Sequence, residues 1–251
     1  MHRHGGAARA VRRGGAFGHA AAFSLQGQKT LTGGEGGYLA TDDTALYRRA
    51  LAFGHYNKRC KVEIPPDDPL YPYHVTGMGL KLRIHPLAAA IAEQQLAELE
   101  GVLAGRQRLA GVLREALADV PGLMPQAVPG DVTPSWYAFP MAYDEAALGG
   151  LPITEFLREA HAEGCVELDR PLSAAPLSHP PLFQAPAALF PGYAGRVACR
   201  PEDFPGADVF HARVLKLPVW HRREDEPLVR AYAAALRKVA EHHAARAVPG
   251  R

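Results

Sequence analysis

The sequence predicts an α/β protein built from two units, residues 1–118 and 119–251. Short apolar runs typical of strands alternate with segments whose leucines recur every three or four residues, as in α/β architecture. A long helical pattern ends at Pro121-Gly122, and a second series of strands and helices follows it. With 251 residues, of which 47% are hydrophobic and 22% charged, the chain can form one large core or two modest ones.

The first unit is predicted to combine a short hairpin with a long helix. Its elements are a loop over 1–20, strands over Ala21–Leu25 and Tyr38–Thr41, a helix over Ala45–Ala52, an irregular stretch over Phe53–Pro72, and a helix from Pro86 to about Ala118. The two aspartates before Thr44 offer an N-cap for the first helix. Prolines exclude regular structure from the irregular stretch, whereas Pro86 suits the first position of a helix.

The second unit is predicted to be a smaller α/β arrangement. Its elements are strands over Trp136–Tyr143, Val166–Leu168 and Val214–Pro218, helices over Ile153–Glu163 and Glu226–His243, and a proline-rich loop over 170–206. Gly164 follows the first of these helices, where glycine commonly ends a helix. The last helix is amphipathic, so we expect one of its faces to close a core.

Composition and charge exclude several classes of function. A formal net charge of +2 gives no electrostatic case for nucleic-acid or membrane binding. No uninterrupted apolar run reaches the roughly 18 residues of a membrane span. Three widely spaced cysteines predict neither a disulfide framework nor a zinc site, and a reducing cytoplasm is the simplest setting. The arginine-rich start imitates a transit peptide, but arginine and alanine are frequent throughout, so we favour no targeting role.

The twelve histidines do not predict a metal site. The close pairs are His2 with His4 and His242 with His243. Neither pair has the three or four ligands at tetrahedral spacing that zinc needs, so we expect solvent-facing side chains. The chain also has neither a P-loop nor a Gly-x-Ser-x-Gly elbow.

The strongest motif runs from Phe23 to Asp43 and reads F-S-L-Q-G-Q-K-T-L-T-G-G-E-G-G-Y-L-A-T-D-D. Ser24 precedes Lys29 by five residues, and the glycine-rich turn Gly33–Gly37 follows. An amine can bind a cofactor covalently, a hydroxyl can donate to a phosphate, and glycines let the backbone approach a ligand closely. The residues alone leave a second interpretation open, in which Lys29 is a solvated surface lysine.

This motif resembles the lysine segment of the DegT/DnrJ/StrS family of pyridoxal 5′-phosphate (PLP) dependent sugar aminotransferases. The matching positions are Phe23, Ser24, Lys29, Leu31, Thr32, Gly34, Glu35, Gly36, Gly37, Thr41, Asp42 and Asp43, and Leu25 departs from the usual aromatic residue. The resemblance implies part of a type I PLP-dependent transferase fold, with the C-terminal part of the large domain in 1–118 and a small α/β domain in 119–251. It implies that Lys29 forms the Schiff base and acts as acid and base, while Ser24 binds the cofactor phosphate.

The resemblance continues into the segment before the long helix, T-G-M-G-L-K-L-R-I-H-P over Thr76–Pro86. Family members usually have Gly-x-Asn-x-Arg there, and their asparagine reaches the neighbouring subunit's cofactor phosphate. Gly79 and Arg83 fit this pattern, but Lys81 replaces the asparagine. A lysine can bind a phosphate as a point charge, so Lys81 is a candidate cofactor ligand. The alternative is an exposed surface lysine.

The remaining matches are weaker. Asn57 and Arg59 are candidates for a substrate loop, although we favour structural roles for both. Leu215–His221, L-K-L-P-V-W-H, resembles the Leu-Pro segment before the family's last helix. The resemblance therefore covers roughly Gly14 to Lys238 and is thinnest between Asp144 and Asp208.

The resemblance implies a homodimeric aminotransferase whose active site is shared across the interface. The expected donor is glutamate or glutamine, and the expected acceptor is a keto-sugar or an inosose-like keto-cyclitol of aminoglycoside or sugar biosynthesis. Neither nucleic acid nor membrane is an expected partner.

The resemblance also implies an expectation about the start of the chain. In the family, an aspartate pairs with the pyridine nitrogen of the cofactor. The first residues of this chain, M-H-R-H-G-G-A, resemble the end of the family segment that carries this aspartate, with His2 at the position of its His or Gln. That aspartate would lie upstream of Met1, and no carboxylate precedes Glu35. We therefore expect either a truncated or mis-started gene product or a domain completed by a partner. The alternative to an enzyme is an incomplete fragment or partner subunit without activity alone.

Overall fold

A computed structural model describes residues 15–171, 175–195 and 199–247. The chain divides into two compact units, the first ending at Leu99 and the second beginning at Glu100, so the division falls inside a long helix. The sequence predicts the boundary at the end of that helix instead, between residues 118 and 119. The assignment of the units as large-domain remnant and small domain stays a prediction. The His2–His4 pair and most of the loop predicted over 1–20 lie outside the described residues.

The first unit begins with an antiparallel hairpin. Its elements are β1 Ala21–Ser24, β2 Gly37–Ala40, α1 Thr44–Gly54, α2 Asn57–Glu63 and the first half of α3, Pro86–Ala116, with a short 3-10 turn over Tyr71–Tyr73. Ala21 pairs with Ala40, and Ser24 pairs with Gly37. These strands confirm the predicted hairpin to within a residue or two.

Asp43 confirms the predicted start of α1. Its Oδ1 accepts hydrogen bonds from the backbone N–H groups of Ala45 and Leu46 at 2.8 and 3.0 Å, which satisfies two of the N–H groups that a helix start leaves unpaired. Thr41 orients this cap, because its Oγ1 accepts a hydrogen bond from the Asp43 N–H. The end of β2 is thereby joined to the start of α1.

The prediction of an irregular stretch over Phe53–Pro72 is wrong for the first part of that range, because helix α2 lies there. The prolines that argue against regular structure begin only at Pro65. Before them, Cys60 and Ile64 are fully buried and form a small core with Ala52 of α1. Apolar packing against α1 therefore gives this short helix its support.

The second unit is a three-stranded antiparallel sheet with helices. After the second half of α3, its elements are β3 Leu123–Pro125, β4 Phe139–Tyr143, α4 Ile153–Ala162, α5 Pro181–Gln184, α6 Pro205–Arg213, β5 Val214–Leu217 and α7 Glu226–Ala247. The strand order is β3-β4-β5, and both pairs are antiparallel. Phe139, Met141 and Tyr143 alternate along β4 and are buried with Phe156 of α4 and Leu236 of α7. This core confirms the predicted α/β class.

Four predictions for the second unit need correction. Trp136 has a left-handed φ of 53°, so the strand begins at Phe139. The strand expected over Val166–Leu168 is a turn, and only Asp169 bridges to Lys216 of β5. The loop predicted over 170–206 contains α5, short 3-10 turns and the start of α6. The three-residue strand β3 was not predicted, since so short a run has no periodicity to detect.

Candidate functional site

Ser24 and Lys29 lie on one turn between β1 and β2. Ser24 is the last residue of β1, and its Oγ accepts a hydrogen bond from the backbone N–H of Gln26 at 3.3 Å. The backbone N–H of Lys29 donates to the carbonyl of the same Gln26 at 2.9 Å. Both side chains are exposed. The structure therefore brings the predicted amine and hydroxyl onto the same short loop.

Residues 25–36, which connect β1 to β2, are called the lysine turn below. Buried Leu25 closes its base. Its backbone N–H donates to Gly36 at 2.9 Å, and its carbonyl accepts from the N–H of Gly33 at 3.0 Å. The same carbonyl accepts the Thr32 hydroxyl at 2.9 Å. These bonds join the two ends of the turn, so the lysine is carried by a closed loop and not by an open connection.

The lysine turn is also fastened to the start of α3. Gln95 accepts a hydrogen bond from the Thr32 N–H at 2.9 Å. A Cβ on Gly33 would lie 2.5 Å from the carbonyl oxygen of Ala88, so only glycine permits this approach. Nothing in the sequence predicts a role for Gln95 or Ala88, because each acts through a contact with a residue more than fifty positions away in the chain.

Lys81 lies in the segment that leads into α3. The next residue, Leu82, donates its backbone N–H to the carbonyl of Gly54 at 2.7 Å, which ties this segment to the end of α1. Ile84, three residues after Lys81, touches the lysine turn, because a Cβ on Gly36 would lie 3.1 Å from its Cδ1. The Lys81 side chain is exposed. All three predicted site residues thus lie in the first unit, two on one turn and Lys81 on a segment that contacts that turn.

Arg59 has a structural partner. Its guanidinium binds the Glu63 carboxylate at 2.7 Å within α2 and donates to the Tyr47 hydroxyl at 2.6 Å. Tyr47 in turn donates to Glu63. The hydrogen bonds from Arg59 and Tyr47 hold the pKa of the Glu63 carboxyl below its usual value. This network joins α1 to α2 and supports a structural role for Arg59.

The groups on and beside the turn fit a cofactor that carries an aldehyde and a phosphate. The Lys29 amine suits the aldehyde. The Ser24 oxygen uses one acceptor position toward Gln26, and its O–H can donate to a phosphate oxygen. Gly34, at φ 89°, has open space beside it, because an added Cβ there would meet nothing within 4 Å. The exposed side of the turn at Gly34 is therefore open to solvent.

In the described part of the chain, no group of three or more His, Cys, Asp or Glu side chains is placed to hold a metal ion. None of the helices described there is long and apolar enough to cross a bilayer.

The fold and the turn define an α/β protein that presents a lysine and a serine together on a glycine-rich loop. The model of the DegT/DnrJ/EryC1/StrS aminotransferase family matches residues 2–235. The chain belongs to this family, which confirms the resemblance seen in the sequence.

Similar curated proteins include inosose aminotransferases. The L-glutamine:2-deoxy-scyllo-inosose aminotransferase of Streptoalloteichus tenebrarius is 32% identical over 248 residues, which cover 95% of this chain and 57% of that protein. The L-glutamine:scyllo-inosose aminotransferase of Streptomyces griseus is 34% identical over 188 residues, which cover 71% of this chain and 43% of that protein. The spore coat polysaccharide biosynthesis protein SpsC of Bacillus subtilis is 28% identical over a region that covers 84% of this chain and 51% of that protein. The chain spans about half the length of the curated relatives it matches.

Solved structures of similar proteins agree with the fold. S. venezuelae DesV superposes with a TM-score of 0.64 at 26% identity, covering 92% of this chain and 54% of that one. An E. coli GDP-4-keto-6-deoxy-D-mannose-3-dehydratase with bound hydrated PLP gives a TM-score of 0.68 at 18% identity, covering 94% and 57%. These likenesses confirm the prediction of a partial type I fold.

Proposed function

We propose that this chain supplies the lysine-bearing part of a PLP-dependent aminotransferase. The observation that carries the proposal is the closed turn that presents Ser24 and Lys29 together, in a chain that belongs to an aminotransferase family. Family membership also favours an enzyme over the alternative of a non-catalytic fragment or partner subunit.

Each candidate residue has a defined role in this proposal. When bound, PLP supplies an electron sink that acidifies the carbon bearing the substrate's amino nitrogen. The Lys29 amine would bind the cofactor aldehyde covalently with loss of water. Once the substrate's amine has taken its place, the freed Lys29 amine would take the proton from that carbon and deliver it to the former aldehyde carbon. The Ser24 hydroxyl donates to the cofactor phosphate. Lys81 would pair its ammonium group with the cofactor phosphate of the partner subunit's site, because opposite charges strengthen a hydrogen bond.

We propose glutamine or glutamate as the amino donor and an inosose-type keto-cyclitol, or a related keto-sugar, as the acceptor. The support comes from the names of the relatives, two of which are L-glutamine aminotransferases acting on inososes. A role in antibiotic or other secondary-metabolite biosynthesis in the cytoplasm stays a prediction from the resemblance.

A transamination assay tests the activity and the acceptor together. The chain is incubated with PLP, glutamine labelled at its α-nitrogen and scyllo-inosose, and labelled amino-cyclitol is measured by mass spectrometry. We expect product from the wild type and from Lys58→Ala, which removes an exposed lysine of the same unit, but not from Lys29→Ala. The Streptomyces griseus relative is the positive control. If keto-sugars yield a Lys29-dependent product and inosose does not, the cyclitol assignment is refuted. If no ketone yields a Lys29-dependent product, the proposed aminotransferase activity of this chain is refuted.

We further propose a homodimer in which Lys81 acts in the partner subunit's site. Leu80 and Leu82, on either side of Lys81, are 43% and 67% exposed, and a row of exposed apolar residues is typical of a surface that another chain covers. Mixing Lys29→Ala with Lys81→Ala tests this arrangement, because a mixed dimer contains one site with both lysines intact. Activity recovered on mixing supports the shared site, and no recovery above that of either variant argues against it.

A further inference from the structure

His55 occupies a position that backbone energetics would give to glycine. It follows α1 as its C-cap and has a left-handed conformation, with φ 40° and ψ 84°. A Cβ disfavours this conformation, so glycine is the common residue near such helix ends. Trp136 is the other non-glycine residue with positive φ among those described. An outlier of this kind points to a role that depends on the side chain.

Hydrogen bonding does not explain the side chain either. His55 is only 6% exposed, and neither Nδ1 nor Nε2 has a hydrogen-bond partner in the described part of the chain. Burying a polar ring without partners is unfavourable. Both its backbone conformation and its burial therefore act against stability, and packing is the contribution that remains.

The imidazole packs against Gly77, at the start of the segment that carries Lys81. A Cβ on Gly77 would lie 2.4 Å from Cγ of His55, so the ring contacts the backbone of this segment directly. Gly77 is itself left-handed, with φ 65°, so its own conformation and the His55 ring both favour glycine.

Two backbone hydrogen bonds flank this contact. The N–H of Met78 donates to the carbonyl of Ala52 at 3.2 Å, and the N–H of Leu82 donates to the carbonyl of Gly54 at 2.7 Å. The segment from 77 to 82 therefore runs along the end of α1 with the His55 ring beneath its first residue. Lys81 directly precedes the second of these two anchored residues.

We propose that His55 is a positioning residue for Lys81. Its ring fixes Gly77, the two backbone bonds hold the rest of the segment, and the ammonium group of Lys81 is thereby presented in one place for a cofactor phosphate. This inference rests on the proposed function, since it assumes that Lys81 binds the phosphate of PLP. Positioning Lys81 is then the role that accounts for a strained, buried histidine at residue 55.

The test uses two variants of the full chain. His55→Gly relieves the backbone and removes the ring, whereas His55→Asn keeps a polar residue that tolerates left-handed backbone. His19→Asn, at an exposed histidine of the same unit, is the matched control. Circular dichroism identifies the variants that fold, and the asparagine variant serves if the glycine variant does not fold. Hydrogen exchange of the Met78 and Leu82 amides is measured without cofactor, and PLP affinity is measured by absorbance titration.

We expect faster exchange at both amides and PLP binding weakened by about tenfold, the loss typical of a hydrogen bond to a charged group. Lys81→Ala should weaken binding similarly, and adding a His55 substitution to it should cause little further loss. Unchanged exchange in the His55 variants would overturn the inference. So would wild-type PLP affinity in them while Lys81→Ala binds weakly, or losses that add in the double variant. Equal affinity of the wild type and Lys81→Ala would overturn both this inference and the proposed role of Lys81.

Discussion

At the scale of single residues, the lysine turn combines two exposed functional groups with a buried base. Leu25 is 5% exposed and anchors the turn, while Ser24 and Lys29 on either side of it face solvent. A buried hydrophobic residue at the base of the turn anchors the loop that carries both polar residues. The chemistry of the site then depends on which side chains the loop presents and on how firmly the loop is held.

Removing the Ser24 hydroxyl tests its assigned role. We expect Ser24→Ala to keep the fold and to weaken PLP binding by about tenfold or more, because a hydrogen bond to a charged phosphate is lost. Equilibrium titration followed by absorbance measures the affinity. Ser135→Ala, at an exposed serine of the second unit, should bind PLP like the wild type. Equal affinity of both variants would remove Ser24 from the site.

Cys165 provides a pH-dependent prediction. Burial raises the pKa of its thiol to about 12, so the thiol stays protonated at neutral and mildly alkaline pH. Only the thiolate is nucleophilic, and we therefore expect iodoacetamide at pH 8 to modify Cys165 at least about a hundredfold more slowly than half-buried Cys199. Peptide mass spectrometry of the native protein measures both rates. Similar rates would show that the second unit opens readily or that this core position is not buried.

At the scale of elements, two glycines of α3 should respond to alanine with opposite signs. A Cβ on Gly105 would lie 2.0 Å from the carbonyl oxygen of His221, whereas a Cβ on Gly111 would meet nothing within 4 Å. We expect Gly105→Ala to lower the free energy of unfolding by about 1–3 kcal/mol through overpacking. Gly111→Ala should raise it by up to about 1 kcal/mol, since alanine is the better helix former. Urea unfolding measures the free energies of both variants. A Gly105→Ala variant that is more stable than the wild type would contradict the close packing of α3 against the backbone of His221.

Elements with strong local signals could be predicted from the sequence, and those that depend on distant contacts could not. The helix α3, the Asp43 cap and the strand β5 follow from leucine spacing, capping chemistry and apolar composition. By contrast, α2 is stabilised by packing against α1, and α6 follows a proline-rich stretch that conceals it. The site shows the same division. Ser24 and Lys29 belong to a local motif, whereas the support from Gln95 and the buried position of His55 depend on the tertiary fold.

At the scale of the whole molecule, the two units differ in how much core they contain. Among the residues that the structure describes, the buried cluster of the first unit consists of Ala52, Cys60 and Ile64, whereas that of the second extends over α3, the sheet, α4 and α7. The predicted site residues all belong to the first unit, where Tyr38 and Leu39 of β2 are also about half exposed. A unit with a small core and exposed apolar side chains gains stability from a ligand or partner that binds only its folded state.

Chemical trapping of the cofactor on Lys29 tests the central claim most directly. The chain is incubated with PLP, reduced with borohydride and digested, and each lysine peptide is examined by mass spectrometry. We predict a phosphopyridoxyl group on Lys29, retained in Lys58→Ala and lost in Lys29→Ala. Labelling spread equally over exposed lysines such as Lys58 and Lys61, or the same total labelling in Lys29→Ala, would contradict the claim that this turn is the cofactor-binding site.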